Sequence, residues 1–335
     1  MPKHAASARN SRSQPAVTAA ALVALMLFVI AMIASYSGAF ANPTLRHLDV
    51  AVAAPPEMLE AIKGQDALAV IESPDAARVH DLVYERRADA GFAVGPDRTL
   101  TVYVAGGGGR SVVTAAESVG RALAAETGLN VAIDDVAPTT PADPAGTVEF
   151  YAVIFLSIGA SVGATLLSRT MGATRSPRIL GLRTLSLAGY SALLAAGVTA
   201  YVDAALGALT GHTWQLFGAL WLYAMAVGGA VTGVAAAFGT VASLLLTLFL
   251  VIVGNAAAAG PVGRPLLSGF YRLFTHIVPQ GSGVDLLRSL QYFGGNGAST
   301  PVVTLAVWAA VGGVLAAAGA LVRLRTADSN LPAGM

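Results

Sequence analysis

Apolar residues gather in six long segments along this chain of 335 residues. Each segment is long enough for a helix to cross about 30 Å of hydrocarbon at about 1.5 Å per residue. The pattern therefore predicts an α-helical polytopic membrane protein with six transmembrane helices, the first of which extends over residues 16–40. The apolar segments are 16–34, 150–167, 185–209, 214–238, 241–259 and 302–322.

Residues 43–147 lie between the first apolar segment and the other five, and their pattern is that of a water-soluble domain. In residues 110–127 apolar side chains recur every three or four positions, which predicts a helix that Gly128 ends. The element order βαβαββαβ predicts a compact α/β domain inserted between the first and second transmembrane helices. Its clearest strands are expected at 48–53, 67–71, 92–95 and 100–105.

The distribution of basic residues predicts the orientation, because Lys and Arg near span ends are retained in the cytoplasm. Residues 1–15 and the tail 323–335 are basic, whereas residues 43–149 contain 8 basic and 16 acidic residues. We therefore expect a multi-pass protein of the cell membrane with both termini cytoplasmic, an extracytoplasmic domain and a five-helix region at 148–322. The loop between the second and third spans carries Arg169, Arg175, Arg178 and Arg183.

Composition agrees with this class, since 55% of residues are hydrophobic and 12% are charged. An alternative is that residues 1–41 are a cleaved signal peptide, because Ala39-Phe40-Ala41 matches a cleavage site. The first apolar stretch exceeds the 7–15 residues typical of a signal peptide, which favours a retained helix. The chain contains no cysteine, so disulfide and thiolate chemistry are excluded.

The glycine run Gly106 to Arg110 resembles a phosphate-binding loop only superficially. Such a loop needs Gly-Lys followed by Ser or Thr, and the lysines of this chain, Lys3 and Lys63, do not follow a glycine. We therefore interpret the run as a flexible turn between a strand and a helix, and expect no ATP hydrolysis by this chain.

Ser161 lies in a G-x-S-x-G pattern, but within an apolar span rather than on a strained turn that would expose a nucleophile. Gly159 and Gly163, and likewise Gly229 and Gly233, have the G-x-x-x-G spacing typical of close helix packing. The sequence therefore predicts helix contacts at these glycines and no catalytic residue, cofactor or metal site. It predicts no nucleic-acid partner either.

Ionisable residues in the spans are confined to their outer ends, where Glu149 and Asp203 lie. Proton-driven transport usually requires such groups at depth. Asp203 is compatible with a proton relay or with a simple pairing near the surface.

Residues 260–298 predict a helical hairpin on the outer face. The pattern indicates a first short helix up to Ile277, a break at Pro279 to Gly281, and a second helix from Ser282. Asp285 and Arg288 have the spacing of an ion pair on one helix face. A pair of helices lying in the outer leaflet, with or without a further role, fits this pattern. The candidate residues of the hairpin are Pro279, Gly281, Asp285, Arg288, Tyr292 and Phe293.

The segment Val278-Pro-Gln-Gly-Ser-Gly-Val-Asp-Leu-Leu-Arg288, followed by Tyr292-Phe293-Gly294, resembles a pattern before the last span of known permeases. These are the type-2 permeases of ATP-binding-cassette exporters, in particular the phage-infection-protein-like branch. The stretch Leu100 to Gly107 also resembles the outer domain of that family. The resemblance extends over nearly the whole chain, and the motifs that carry it are short.

The resemblance implies a half-transporter that forms a homodimer or a heterodimer with a related permease and exports a substrate. A separate cytosolic ATPase would act on the arginine loop, and the hairpin would form an outer gate. The arginines are equally explained as topology signals and contacts to membrane lipids. The open alternative is a non-transporting membrane protein whose extracytoplasmic domain binds a surface or secretion partner.

Overall fold

The computed structural model describes residues 14–171 and 176–329. Most of these residues are helical, and one five-stranded sheet lies between the first two long helices in the sequence. Among the described residues, five helices are long and apolar enough to cross a membrane, as expected of a polytopic membrane protein. These candidate spans are Pro15–Phe40, Val148–Thr170, Arg178–Ala205, Thr213–Phe238 and Ser299–Arg323.

Helix α1 (Gln14–Phe40) precedes a group of strands and helices whose order, βαβαββαβ, is the predicted one. Gly128 ends the long helix of this group in a left-handed conformation with φ of 64°, as the sequence indicates. The elements are β1 (Leu48–Ala53), α2 (Pro56–Lys63), β2 (Leu68–Glu72), α3 (Ala76–Tyr84), β3 (Ala90–Val94), β4 (Thr99–Val104), α4 (Arg110–Thr127) and β5 (Asn130–Asp135).

The strands form one sheet in the order β2-β1-β3-β4-β5. Strands β3 and β4 are antiparallel, and the other neighbouring strands are parallel. Helix α3 packs on one face, where a Cβ at Gly91 would lie 2.3 Å from Val79. Helix α4 covers the other face, where a Cβ at Gly120 would lie 2.4 Å from Val102. Close helix contacts thus bury both faces of the central strands β1, β3 and β4, whereas the edge strand β5 is largely exposed.

The remaining helices form a bundle around α7. Helix α7 packs against α5, α6, α8, α10 and α11. Helix α6 continues as a π-helical segment, Ala200–Ala205, and α8 as another, Leu250–Gly254. The bounds are α5 (Val148–Thr170), α6 (Pro177–Thr199), α7 (Thr213–Phe238), α8 (Thr240–Phe249), α9 (Gly269–Thr275), α10 (Pro279–Tyr292) and α11 (Ser299–Ser329).

Helices α7 and α11 run parallel with their backbones in contact. A Cβ at Gly233 would lie 2.2 Å from the carbonyl oxygen of Gly312, and a Cβ at Gly319 would lie 2.4 Å from that of Ala236. Gly229 also faces α11, since a Cβ at Gly312 would lie 2.5 Å from the Gly229 oxygen. The glycines at 229 and 233 therefore lie at a tight helix contact.

Helices α5 and α6 meet at the other predicted glycine pair. A Cβ at Gly163 would lie 2.0 Å from the Tyr190 ring, and the Tyr190 hydroxyl donates a 2.9 Å hydrogen bond to the carbonyl oxygen of Gly159. Ser161, between these glycines, is buried within the bundle. The motif accordingly lies in a helix contact.

The segment predicted as the fifth span, residues 241–259, forms a shorter apolar helix over Thr240–Gly254. At about 1.5 Å per residue, such a helix extends about 22 Å, less than the thickness of a typical hydrocarbon core. Ser243 in this helix donates a 3.0 Å hydrogen bond to the Val231 carbonyl of α7. The helix therefore packs back along α7.

The hairpin differs from its prediction in two respects. Helix α10 begins at Pro279 rather than at Ser282, because proline in a first turn needs no hydrogen-bond acceptor for its nitrogen. Gly281 lies inside this first turn and does not break the chain. A Cβ there would lie 1.8 Å from the carbonyl oxygen of Thr275, so the position requires glycine for space.

Candidate functional site

Helix α10 is buried at the junction of the α/β domain and the bundle. Most of its residues are inaccessible, including polar ones such as Gln280, Ser282 and Arg288. Gln280 donates 3.0 Å hydrogen bonds to the hydroxyl of Ser157 in α5 and to the carbonyl oxygen of Leu250. An amphipathic helix on a membrane surface would expose one face, whereas α10 is enclosed on all sides.

Arg288 connects four chain segments through its guanidinium group. Nη1 donates to the carbonyl oxygens of Gly108 (3.2 Å) and Ala259 (3.3 Å), and Nη2 donates to those of Gly146 (3.3 Å) and Gly260 (3.2 Å). The side chain is buried, with 3% of the residue exposed. The predicted pair with Asp285 is therefore replaced by bonds that tie the α/β domain to the bundle.

Glu149, in the first turn of α5, is a buried acid that interacts with this arginine. The residue has no solvent exposure, and its carboxylate interacts electrostatically with Arg288 and Tyr292. Burial, followed by the charge of Glu149, raises the pKa of the Tyr292 hydroxyl well above its usual range. Tyr292 thus stays protonated, and Arg288 supplies a positive charge that interacts with the buried carboxyl group of Glu149.

The glycine run before α4 forms the surface on which α10 packs. A Cβ at Gly107 would lie 2.3 Å from Cγ of Tyr292, and the Gly108 carbonyl accepts from Arg288. Gly109 has φ of 123°, a conformation that side-chain-bearing residues rarely adopt. The run interpreted from sequence as a flexible turn is therefore a contact surface that needs the absence of side chains.

Arg86 provides a second connection between the domain and α10. Its guanidinium donates to the main-chain oxygen of Asp285 (2.8 Å), to its carboxylate (3.1 Å) and to the hydroxyl of Ser289 (2.5 Å). The same group stacks over the Phe293 ring, 5.0 Å from its centre. Arg86 has a left-handed backbone with φ of 59°, an uncommon conformation that these contacts stabilise.

A charged cleft opens beside this junction, between the α/β domain and the α9 region. It comprises a cavity of about 320 Å³ and an adjoining one of about 280 Å³. Both are lined by Asp49, Asp89 and Arg264. The larger cavity also reaches Arg288, and the smaller one reaches Arg272. The cleft has the mixture of fixed charges and concave shape that binds polar ligands.

Asp89 is the most perturbed acid of the cleft. Burial raises the pKa of its carboxyl to about 6, although the carboxylate accepts a 3.0 Å hydrogen bond from the Asp49 amide. The charge of Asp49 also raises the pKa, whereas Arg264 and Arg86 lower it. Acidification through pH 6 therefore removes a negative charge from the cleft.

We expect Asp89→Asn to stabilise the sheet at pH 8 but not at pH 4.5. The raised pKa means that the folded state binds more protons than the unfolded chain between about pH 4 and 6, so stability falls as pH rises through that window. The ionised group then costs about 3 kcal/mol, and asparagine keeps an acceptor for the Asp49 amide. Hydrogen–deuterium exchange in β1 and β3 should slow at pH 8.

The exposed Asp66→Asn change serves as the control for this prediction, because the side chain lies outside the cleft. It should leave exchange in β1 and β3 unchanged at both pH values. Equal exchange rates for the Asp89 variant and the wild type at pH 8 would contradict the assignment.

The arginines predicted to couple to an ATPase lie at the opposite end of the bundle from the sheet. Arg169 is exposed in the last turn of α5, Arg178 is exposed at the start of α6, and Arg183 lies one and a half turns further on. Arg175 falls outside the described residues. Near the other end of the bundle, Asp203 accepts a hydrogen bond from the Thr213 hydroxyl, which is the pairing expected near the surface.

Sequence reasoning singled out six residues of the hairpin and missed their partners. Arg86 and Glu149 are separated from α10 by more than one hundred residues, and no local pattern connects them. The one usable signal was the glycine run, since clustered glycines mark a close approach of another chain segment. Comparison of the chain with protein-family models, curated proteins and solved structures found no match.

Proposed function

We propose that the chain is the membrane-spanning subunit of an exporter of the ATP-binding-cassette type. In this proposal it acts as a half-transporter, pairs with a second permease chain and uses a separate cytosolic ATPase. The observation that carries the proposal is the buried helix α10, which binds the α/β domain through Arg288 and Arg86 and packs against α5, α7 and α11.

This connection supports export because it transmits movement. Helix α10 contacts both α7 and α11, and it also contacts the glycine run and Arg86 of the domain, so a displacement of these helices would reach the domain through α10. A domain that only displayed a binding surface would need no more than a flexible linker. The buried connection instead suits a protein whose outer domain changes position when its spans move.

The orientation belongs to the proposal as well. Helices α7 and α11 are parallel, so the chain between Phe238 and Ser299 must return to the end of the bundle at which α7 begins. This favours a crossing by the short helix α8 and six crossings in total, which local thinning of the bilayer can accommodate. Both termini and the arginine loop then face the cytoplasm.

Single cysteines test orientation and partner together, because the chain has no cysteine of its own. A cysteine at Ser118, exposed on α4, should react with an impermeant maleimide on intact cells. One at Ser176, beside the arginine loop, should react only after permeabilisation, and in a separate sample a bifunctional thiol reagent should cross-link it to a nucleotide-binding subunit.

The two positions are matched serines, so each serves as the control for the other. Labelling at Ser176 on intact cells would reverse the proposed topology. Cross-linking of an extracellular protein at Ser118, with no nucleotide-binding protein captured at Ser176, would support the non-transporting alternative.

A further inference from the structure

Helix α9 lies level with one end of the first candidate span. The hydroxyl of Tyr271 donates a 3.1 Å hydrogen bond to Ser35 of α1, and Ser35 donates one of 2.7 Å to the Ile252 carbonyl. Ser35 lies in the last two turns of α1, directly before the α/β domain. Helix α9 is therefore held beside the end of a candidate span, between the bundle and the domain, which is the level expected for lipid headgroups if α1 crosses the membrane.

The outward side of this region is apolar. Phe270, Leu273 and Ile277 follow one another at spacings of three and four, and they are exposed by 56%, 65% and 53%. Large apolar side chains exposed at a membrane boundary insert among lipid chains. Arg272, by contrast, lines the smaller cavity of the cleft. The helix thus lies between an apolar face and a charged cavity. A lipid has two matching parts, apolar acyl chains and a charged headgroup.

The smaller cavity of the cleft contains two arginines, Arg264 and Arg272, whose N–H donors are directed to no neighbouring side chain in the described part of the molecule, and two acids, Asp49 and Asp89, of which Asp89 feels the charge of Arg264. Arg86 pairs with Asp285, and Arg288 is occupied by carbonyl oxygens. Within residues 14–171 and 176–329, neither Arg264 nor Arg272 makes a hydrogen bond or an ion pair through its guanidinium group. Both line the smaller cavity beside the apolar face.

We propose that this cleft binds the phosphate headgroup of an anionic membrane lipid. Arg264 and Arg272 bind the phosphate, because a guanidinium group matches its oxygens with paired donors. The acyl chains lie along Phe270, Leu273 and Ile277. The apolar face beside the arginines selects a lipid over a soluble phosphate ester. This assignment does not depend on the export function.

The test uses the full chain purified in a neutral detergent and titrated with dihexanoyl phosphatidylglycerol. Wild-type protein should bind this lipid and should bind dihexanoyl phosphatidylcholine or inorganic phosphate much more weakly. The Arg264→Gln/Arg272→Gln variant should lose about tenfold or more in affinity for phosphatidylglycerol. Replacement of both arginines by lysine should give an intermediate affinity, because lysine keeps the positive charge but not the paired donors of the guanidinium group.

The matched control is Arg110→Gln/Arg121→Gln, which removes the same charge from exposed positions on α4. It should bind phosphatidylglycerol as the wild type does. Equal loss in this control, or unchanged binding by the Arg264/Arg272 glutamine variant, would overturn the site. Inorganic phosphate binding as tightly as the lipid would overturn the lipid assignment, and Leu273→Asn should weaken lipid binding alone.

Discussion

Replacing Arg288 with Met should lower the free energy of unfolding by about 3–5 kcal/mol, the usual cost of breaking a buried charged network. Methionine fills much of the space but leaves four carbonyl oxygens without their donor. It also removes the positive charge that interacts with the buried carboxyl group of Glu149. Thermal unfolding of the detergent-solubilised chain should show this loss, together with faster proteolysis of the α/β domain.

Arg87→Met provides the control, because Arg87 lines the same cleft with a side chain that is 62% exposed. Its effect should stay within about 0.5 kcal/mol. The double change Arg288→Met/Glu149→Gln should cost less than the sum of the single changes if Glu149 is the counter-charge. A stable Arg288→Met protein would show that the carbonyl contacts contribute little.

This expectation differs from the one that the sequence supports. An exposed pair of Asp285 with Arg288 would be worth about 0.2–1 kcal/mol, so Arg288→Ala would leave expression intact and affect only the hairpin geometry. Burial changes the outcome, because the arginine binds main-chain oxygens from the domain and the bundle. The change should now impair folding as well as any transport.

The second large effect is expected at Gly281. Alanine there would place a Cβ 1.8 Å from the Thr275 carbonyl oxygen, far inside van der Waals contact. Since the obstacle is main chain, α9 and α10 must separate, and overpacking of this kind typically costs about 1–3 kcal/mol. Thermal unfolding should reveal the loss, and valine should be worse than alanine.

Gly269→Ala is the matched control in the same hairpin, because a Cβ at that position meets nothing within 4 Å. It lies at the start of α9, where alanine favours the helix over glycine. This variant should be as stable as the wild type or slightly more so. Equal stability of the two alanine variants would refute the tight contact between α9 and α10.

Both predictions concern contacts of α10, and both bear on the proposed exporter. If α10 transmits movement between the spans and the α/β domain, variants that loosen its contacts should weaken this coupling before they abolish insertion into the membrane. The glycine run is also in contact with α10, since Tyr292 packs directly on Gly107. A phosphate-binding role for the run is excluded by the side chain that occupies it.

The sequence by itself determined the elements whose signals are local. The long helix Arg110–Thr127 and the strand Leu48–Ala53 have the predicted bounds, because apolar periodicity and Gly128 act within a few residues. The candidate membrane spans were also predicted from the sequence, because they depend only on the length and composition of one apolar segment. The fifth apolar segment was the exception, because a wider π-helical turn and the following loop take up its end.

Only the tertiary structure decided which partners the polar residues of α10 have. The periodicity of residues 279–292 is compatible with a surface helix, and Asp285 and Arg288 are spaced for an exposed pair. Their partners, Arg86 and the carbonyl oxygens of the domain and bundle, lie far away in the sequence. A buried charge is stabilised by whichever polar groups the fold brings within hydrogen-bonding distance, and that proximity is a property of the packed chain rather than of any local pattern.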